Sequence, residues 1–94
     1  MKDKLEFYNE HTILAVVSFG DIIKINRVVI DSISIIQPSF DDVYKLTILV
    51  NTSFFKVFES KDASIIIEAF NELIVWWKHG IMPTKHGEII KEEK

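Results

Sequence analysis

The order of two kinds of segment constrains the fold more than any other feature of this sequence. Residues 12–59 consist of short runs rich in Val and Ile, and these runs are separated by Gly, Asn, Pro and Asp residues. Such runs are too short and too β-branched to favour helices and are typical of strands. Residues 60–79 instead repeat apolar side chains at helical spacing. The chain is therefore predicted to be an α+β domain, with a curved antiparallel sheet of about five short strands and one C-terminal helix packed on it.

Turn residues divide the first region into individual strands. Gly20 and Asp21 interrupt an apolar run and predict a hairpin, and residues 37–42 form the main loop. Ile33 and Ile35 alternate with serines, which indicates a strand with one face toward the core. The predicted strands cover residues 12–19, 21–25, 28–36, 44–50 and 54–59.

The helix is predicted to span residues 60–79. Ser60 is a suitable N-cap, and Gly80 follows the basic pair Lys78-His79 as a C-terminal stop. The end of the chain is mostly charged, so residues 81–94 are predicted to form a flexible tail.

The predicted helix carries more apolar surface than one sheet face covers. Its apolar arc is on the order of 200°, about twice the stripe that a helix lying on one sheet needs. Either a strongly curved sheet wraps the helix and buries the whole arc, or one flank stays exposed and binds a partner. The second interpretation predicts an interaction surface with Trp76, Ile65 and Val75 on the helix and Phe54 and Phe58 on the sheet. The expected core stripe of the helix contains Ile66, Phe70, Leu73 and Trp77.

Composition and motifs argue against catalysis. Residues 1–94 are 48% hydrophobic and lack Cys, which fits a single globular domain without a disulfide framework, zinc–thiolate site or cysteine nucleophile. The three histidines His11, His79 and His86 have no metal-ligand spacing, so we expect them to be solvated. Asp41 and Asp42 are expected to be turn residues, and no phosphate-binding loop or nucleophile elbow is present. We expect no catalytic residues, metal or cofactor.

The order of antiparallel strands followed by a C-terminal helix resembles that of pleckstrin-homology-like domains. The resemblance is one of architecture and implies a partly open barrel. No motif of that family matches residue by residue, so the resemblance carries no lipid-binding function to this chain.

These observations predict a small non-catalytic interaction or regulatory module that acts as a homodimer or on a partner protein. Ile is frequent, and Lys outnumbers the single Arg, which suggests an AT-rich genome such as that of a virus or mobile element. The sequence shows no export signal and no apolar run of the ~20 residues that cross a bilayer. The expected location is the cytoplasm, of a host cell if the source is viral.

The alternative hypothesis is a single-stranded nucleic-acid-binding protein. Aromatic side chains on a sheet can stack bases while neighbouring cations bind phosphates. The candidate contacts are Lys24, Arg27, Lys45 and Lys56, beside Phe54 and Phe58. The net charge of −3 opposes this hypothesis.

Overall fold

One sheet and one long helix make up the regular structure of residues 3–17 and 20–90, the part of the chain that the computed structural model describes. A short 3₁₀ turn, Arg27–Val29, links the third and fourth strands. In chain order the elements are β1 (Leu5–Asn9), β2 (Thr12–Val16), β3 (Ile22–Asn26), β4 (Ser32–Ile36), β5 (Tyr44–Val50), β6 (Ser53–Ser60), α1 (Ala63–His79) and β7 (Gly87–Ile89).

The sheet is curved, mostly antiparallel and not closed, which confirms the predicted α+β class. Its strand order is β4-β5-β6-β2-β1-β7, and β3 pairs with β2. Strand β2 joins the two halves, because Ile13 pairs with Phe7 of β1 whereas Val16 pairs with Lys56 of β6. Helix α1 packs on β4, β5 and β6. Strand β4 therefore forms one end of the sheet, beside the helix.

The hairpin predicted around Gly20 and Asp21 is present, and the sheet contains a second one. Strand β2 pairs antiparallel with β3, and β5 pairs antiparallel with β6. Asn51 and Thr52 form the second turn with positive φ angles of 56° and 74°, as the tight turns of two-residue hairpins require. The register shifts between Leu46 and Thr47, and this irregularity brings two consecutive residues of β6, Val57 and Phe58, into the core.

Strands β1 and β7 lie outside the predicted strand region of residues 12–59. They pair in parallel, with Leu5 opposite Gly87. The backbone N–H of Leu5 donates to the carbonyl of His86 at 2.7 Å, and the N–H of Ile90 donates to that of Phe7 at 2.7 Å. The prediction of a flexible tail over 81–94 is therefore wrong for Gly87–Ile89, while residues 91–94 lie outside the described part.

Helix α1 begins later than predicted. Ser60 is the last residue of β6, and Asp62 is the N-cap, whose carboxylate accepts a hydrogen bond from the N–H of Ser64 at 2.8 Å. The hydrogen bonds from Ser64 also lower the pKa of Asp62. The predicted end is confirmed: Gly80 adopts the left-handed conformation (φ 72°), and its N–H donates to the carbonyl of Trp76 at 2.8 Å.

The core lies between the concave face of the sheet and α1. Four helix residues are buried there: Ile66, Ala69, Leu73 and Trp76. The predicted core residues Phe70 and Trp77 are only half-buried. The helix is therefore rotated toward Trp76 relative to the orientation expected from its sequence. Strand residues that complete the buried core include Leu5, Phe7, Ile13, Ala15, Leu46, Ile48, Val57 and Phe58.

Candidate interaction surface

Trp76 is a core residue, and its predicted place on an exposed surface is wrong. Its side chain is fully buried. The indole Nε1–H donates to the carbonyl of Glu10 at 2.8 Å, and the ring meets Phe7 edge-on with centroids 4.9 Å apart. Phe58 is also buried, with its ring edge-on to His86, so it too is excluded from the surface.

The chain itself covers the helix flank around Trp76. After Gly80 it returns along α1, and His86 reaches two carboxylates of the helix. The imidazole Nε2 lies 2.9 Å from Glu68 Oε1, and the backbone N–H of His86 donates to Glu72 Oε1 at 3.1 Å. The hydrogen bond from His86, followed by that from Lys85, lowers the pKa of Glu68. His86 is thus not the solvated histidine that the sequence suggested.

The other two predicted helix residues have different environments. Ile65 is half-buried against the core. Val75 is exposed and lines a groove of about 310 Å³ between α1 and residues 81–84. The predicted flank of Trp76, Ile65 and Val75 is therefore not one continuous exposed surface.

The opposite flank of α1 leaves apolar side chains partly open. Trp76 and the returning chain occupy the side of α1 toward β1, so this second flank lies toward β4. Phe70, Ile74 and Trp77 are half-buried along it, and Ile67 is 52% exposed at its rim. No hydrogen-bonded partner covers the outer edge of β4 among the described strands.

Strand β4 continues this apolar surface. Ile33 and Ile35 pack against the core but remain half-buried, whereas their partners in β5, Ile48 and Leu46, are fully buried. The difference follows from position, because β5 has a neighbour on both sides whereas β4 has one among the strands that the structure describes. We call this surface the open flank; it consists of Ile33, Ile35, Phe70, Ile74 and Trp77, with Ile67 at its rim.

The outer face of the sheet, away from α1, carries Phe54 and three of the predicted nucleic-acid contacts. Phe54 is 61% exposed and lines a cleft of about 700 Å³ together with Val16, Thr47 and Lys56. The pairs Val16–Lys56 and Leu14–Lys24 place both lysines on this face. Lys45 occupies an equivalent position on β5, opposite Glu59.

Each of these lysines already has a partner within the chain. Lys24 Nζ lies 3.9 Å from the ring centroid of Tyr8. Lys45 Nζ lies 2.8 Å from Asp41 Oδ2, and this hydrogen bond is the main cause of the lowered pKa of Asp41. Lys56 Nζ lies 3.0 Å from Glu59 Oε1. A phosphate group would have to compete with these contacts.

The fourth predicted nucleic-acid contact, Arg27, has a structural role. Its Nη1 donates to the carbonyl of Trp77 at 2.7 Å and lies 3.5 Å from that of Trp76. These carbonyls belong to the last turn of α1, where the helix dipole attracts a cation. The four cations predicted from the sequence therefore do not form one surface.

Sequence reasoning missed the helix side of the open flank. The sequence feature that points to the open flank is in β4. Its two alternating isoleucines indicate a strand but do not reveal that this strand lies at a sheet edge. In the described residues, no group of three or more His, Asp or Glu side chains is placed to hold a metal ion. No helix within residues 3–17 and 20–90 has the length and apolar character needed to cross a membrane.

Comparison of the chain with known protein families, with curated proteins and with solved structures gave no match.

Proposed function

We propose that this protein is a non-catalytic interaction module that binds another protein chain through the open flank. The observation that carries the proposal is that β4 and α1, two adjacent elements, leave their apolar side chains half-covered on the same side. Contiguous apolar surface of this kind typically marks a binding site for protein. We place its action in the cytoplasm on sequence grounds alone.

Aromatic side chains strengthen this assignment. Phe70 and Trp77 both belong to the open flank, and large aromatic residues are enriched among those that dominate interface energetics. The half-buried state of these rings means that they are already ordered by the core, so a partner would not have to restrict their rotation.

Affinity capture with matched variants tests the proposal. Ile67→Glu places a carboxylate at the rim of the open flank, and Ile22→Glu makes the same change on β3, at a site that is 59% exposed. The immobilised baits are offered both a cell lysate and the labelled chain itself. We expect at least one ligand to bind the wild type and Ile22→Glu but to be lost with Ile67→Glu. Equal capture by all three baits, or no capture by any, would contradict the proposal.

Fluorescence anisotropy with labelled single-stranded DNA tests the competing nucleic-acid hypothesis. Phosphate contacts produce binding that weakens steeply as the salt concentration rises. We expect no such salt-dependent binding of the labelled DNA, because the three outer-face lysines have intramolecular partners. Salt-dependent binding that Lys56→Gln weakens would instead favour the outer face as the functional surface.

A further inference from the structure

We propose that the partner of the open flank is a second copy of this chain, joined by antiparallel pairing of β4 with β4. The inference rests on the proposed function and specifies its partner. In the resulting dimer, Ser34 lies on the two-fold axis and the two sheets form one continuous sheet.

The first argument is that β4 lacks the features that normally prevent edge pairing. Proteins protect free edges with charged residues, proline or bulges. Residues 32–36 read Ser-Ile-Ser-Ile-Ile and contain neither charge nor proline, and their pairing with β5 runs through five consecutive residues without a shift. By contrast, the outermost strands β3 and β7 carry Lys24 and Glu88.

The second argument is that β4 is complementary to itself. With Ser34 opposite Ser34 of the second copy, Ile33 lies opposite Ile35 and Ser32 lies opposite Ile36. Because side chains alternate between the two faces of a strand, Ile33 and Ile35 of both copies meet on the inner face. Asp31 then lies opposite Gln37, so no carboxylate faces another.

The third argument concerns α1. A two-fold axis through Ser34, perpendicular to the sheet, places the helices of both copies on the same side of the joined sheet. The half-buried Phe70, Ile74 and Trp77 of one copy then face their equivalents in the other. Glu68 and Glu72 contact the returning chain on the opposite flank, so these carboxylates of the two copies stay apart. A chain of net charge −3 can therefore associate with itself at this surface.

Opposite charges at residue 34 provide the test. Ser34→Lys places two ammonium groups face to face on the two-fold axis, and Ser34→Glu places two carboxylates there. Like charges in direct juxtaposition should raise the dimer dissociation constant at least about tenfold. Mixing the two variants should restore a dimer, because the ammonium group of one chain then faces the carboxylate of the other only in this register.

Light scattering over a concentration series gives the mass, and circular dichroism monitors folding. We expect the wild type at twice 10.9 kDa, each charged variant at the monomer mass, and their equimolar mixture again at twice that mass. Ser34→Thr and Ile22→Lys are controls that should stay dimeric. The first retains the hydroxyl that lies 3.1 Å from Thr47 Oγ1, and the second adds a charge to a different edge.

Three results would overturn the inference. A wild type that stays monomeric at every concentration excludes the second copy as the partner. The broader proposal would then still be supported if the capture experiment finds a ligand that binds the wild type and not Ile67→Glu. A dimeric Ser34→Lys variant excludes the β4 edge. A mixture that remains monomeric excludes the register. If both charged variants unfold, the double variant Ser32→Lys/Ile36→Lys replaces them, because positions 32 and 36 of the two copies lie opposite each other and would then bring ammonium groups together; an unchanged dimer then excludes the β4 edge.

Discussion

Arg27 links the turn before β4 to the end of α1. Its guanidinium group reaches the last helical carbonyls, and a Cβ atom added at Gly80 would lie 3.2 Å from Arg27 Nη2. Gly80 thus serves two purposes, because it adopts a left-handed conformation and leaves room for the cation. The Nε atom of Arg27 is buried and has no hydrogen-bond partner among the described residues. The contact with the carbonyls must therefore offset a desolvation cost.

Replacing Arg27 by Gln should lower the free energy of unfolding by about 1–2 kcal/mol, because the helix loses a partly buried cation at its C-terminus. Urea denaturation measures the change. Lys45→Gln removes a cation from an exposed pair and serves as the control, with a midpoint close to that of the wild type. Equal midpoints for the two variants would show that Arg27 does not stabilise the helix end.

Trp76→Phe should lower the free energy of unfolding by about 1–3 kcal/mol, since the substitution removes the donor to the Glu10 carbonyl and part of a buried ring. Trp77→Phe makes the same chemical change at the adjacent, half-buried residue and should cost less. Thermal and urea unfolding followed by circular dichroism compare the two variants. A larger loss of unfolding free energy in Trp77→Phe than in Trp76→Phe would contradict the assignment of Trp76 to the core and Trp77 to the open flank.

At the scale of elements, local sequence patterns predict those strands and the helix whose own residues show a clear apolar periodicity. Strand β5 alternates cleanly and forms over the predicted residues 44–50. Strand β1 was missed because charged neighbours dilute its apolar residues, although Leu5 and Phe7 do alternate. Strand β7 has three residues and no recognisable pattern, and its pairing with β1 depends on residues distant in the sequence.

The helix flank could not be assigned from the sequence for a related reason. A helical wheel gives the width of an apolar arc but does not show which side the rest of the chain covers. The returning segment decides this, because His86 contacts Glu68 and Glu72. That contact depends on tertiary structure, so the sequence indicated excess apolar surface but placed it on the wrong flank.

The contact between α1 and the returning segment should depend on pH. The pKa of Glu68 lies below its ordinary value of 4.5, so its carboxylate stabilises the folded protein fully above about pH 4.5. This stability is lost as the pH falls through the lower pKa of the folded state. We expect the Tm of the wild type to fall more steeply below that pH than the Tm of Glu68→Gln. Glu88→Gln, on β7, is the control and should follow the wild type.

At the scale of the whole molecule, β4 has no second strand partner within residues 3–17 and 20–90, and α1 packs beside this edge of the sheet. A monomer of this shape leaves apolar side chains of both layers half-covered at one side. Association with a second copy would cover these apolar side chains without changing the fold of either chain.

Association of this kind couples stability to concentration. We expect the Tm of the wild type to rise with protein concentration, because the folded chains bind each other and the unfolded chains do not. Ser34→Lys should remove this dependence, and the wild-type and variant curves should converge at high dilution. Differential scanning calorimetry over a dilution series measures both. A concentration-independent Tm for the wild type would contradict the dimer.

The parallel pairing of β1 with β7 also affects the timing of folding. During synthesis on a ribosome, β1 is made before α1, and its partner strand β7 is made only after that helix. The Leu5–Gly87 pairing joins residues 82 positions apart, and contacts so distant along a chain form slowly. The edge of β1 that pairs with β7 must therefore stay unpaired until Gly87–Ile89 have been synthesised.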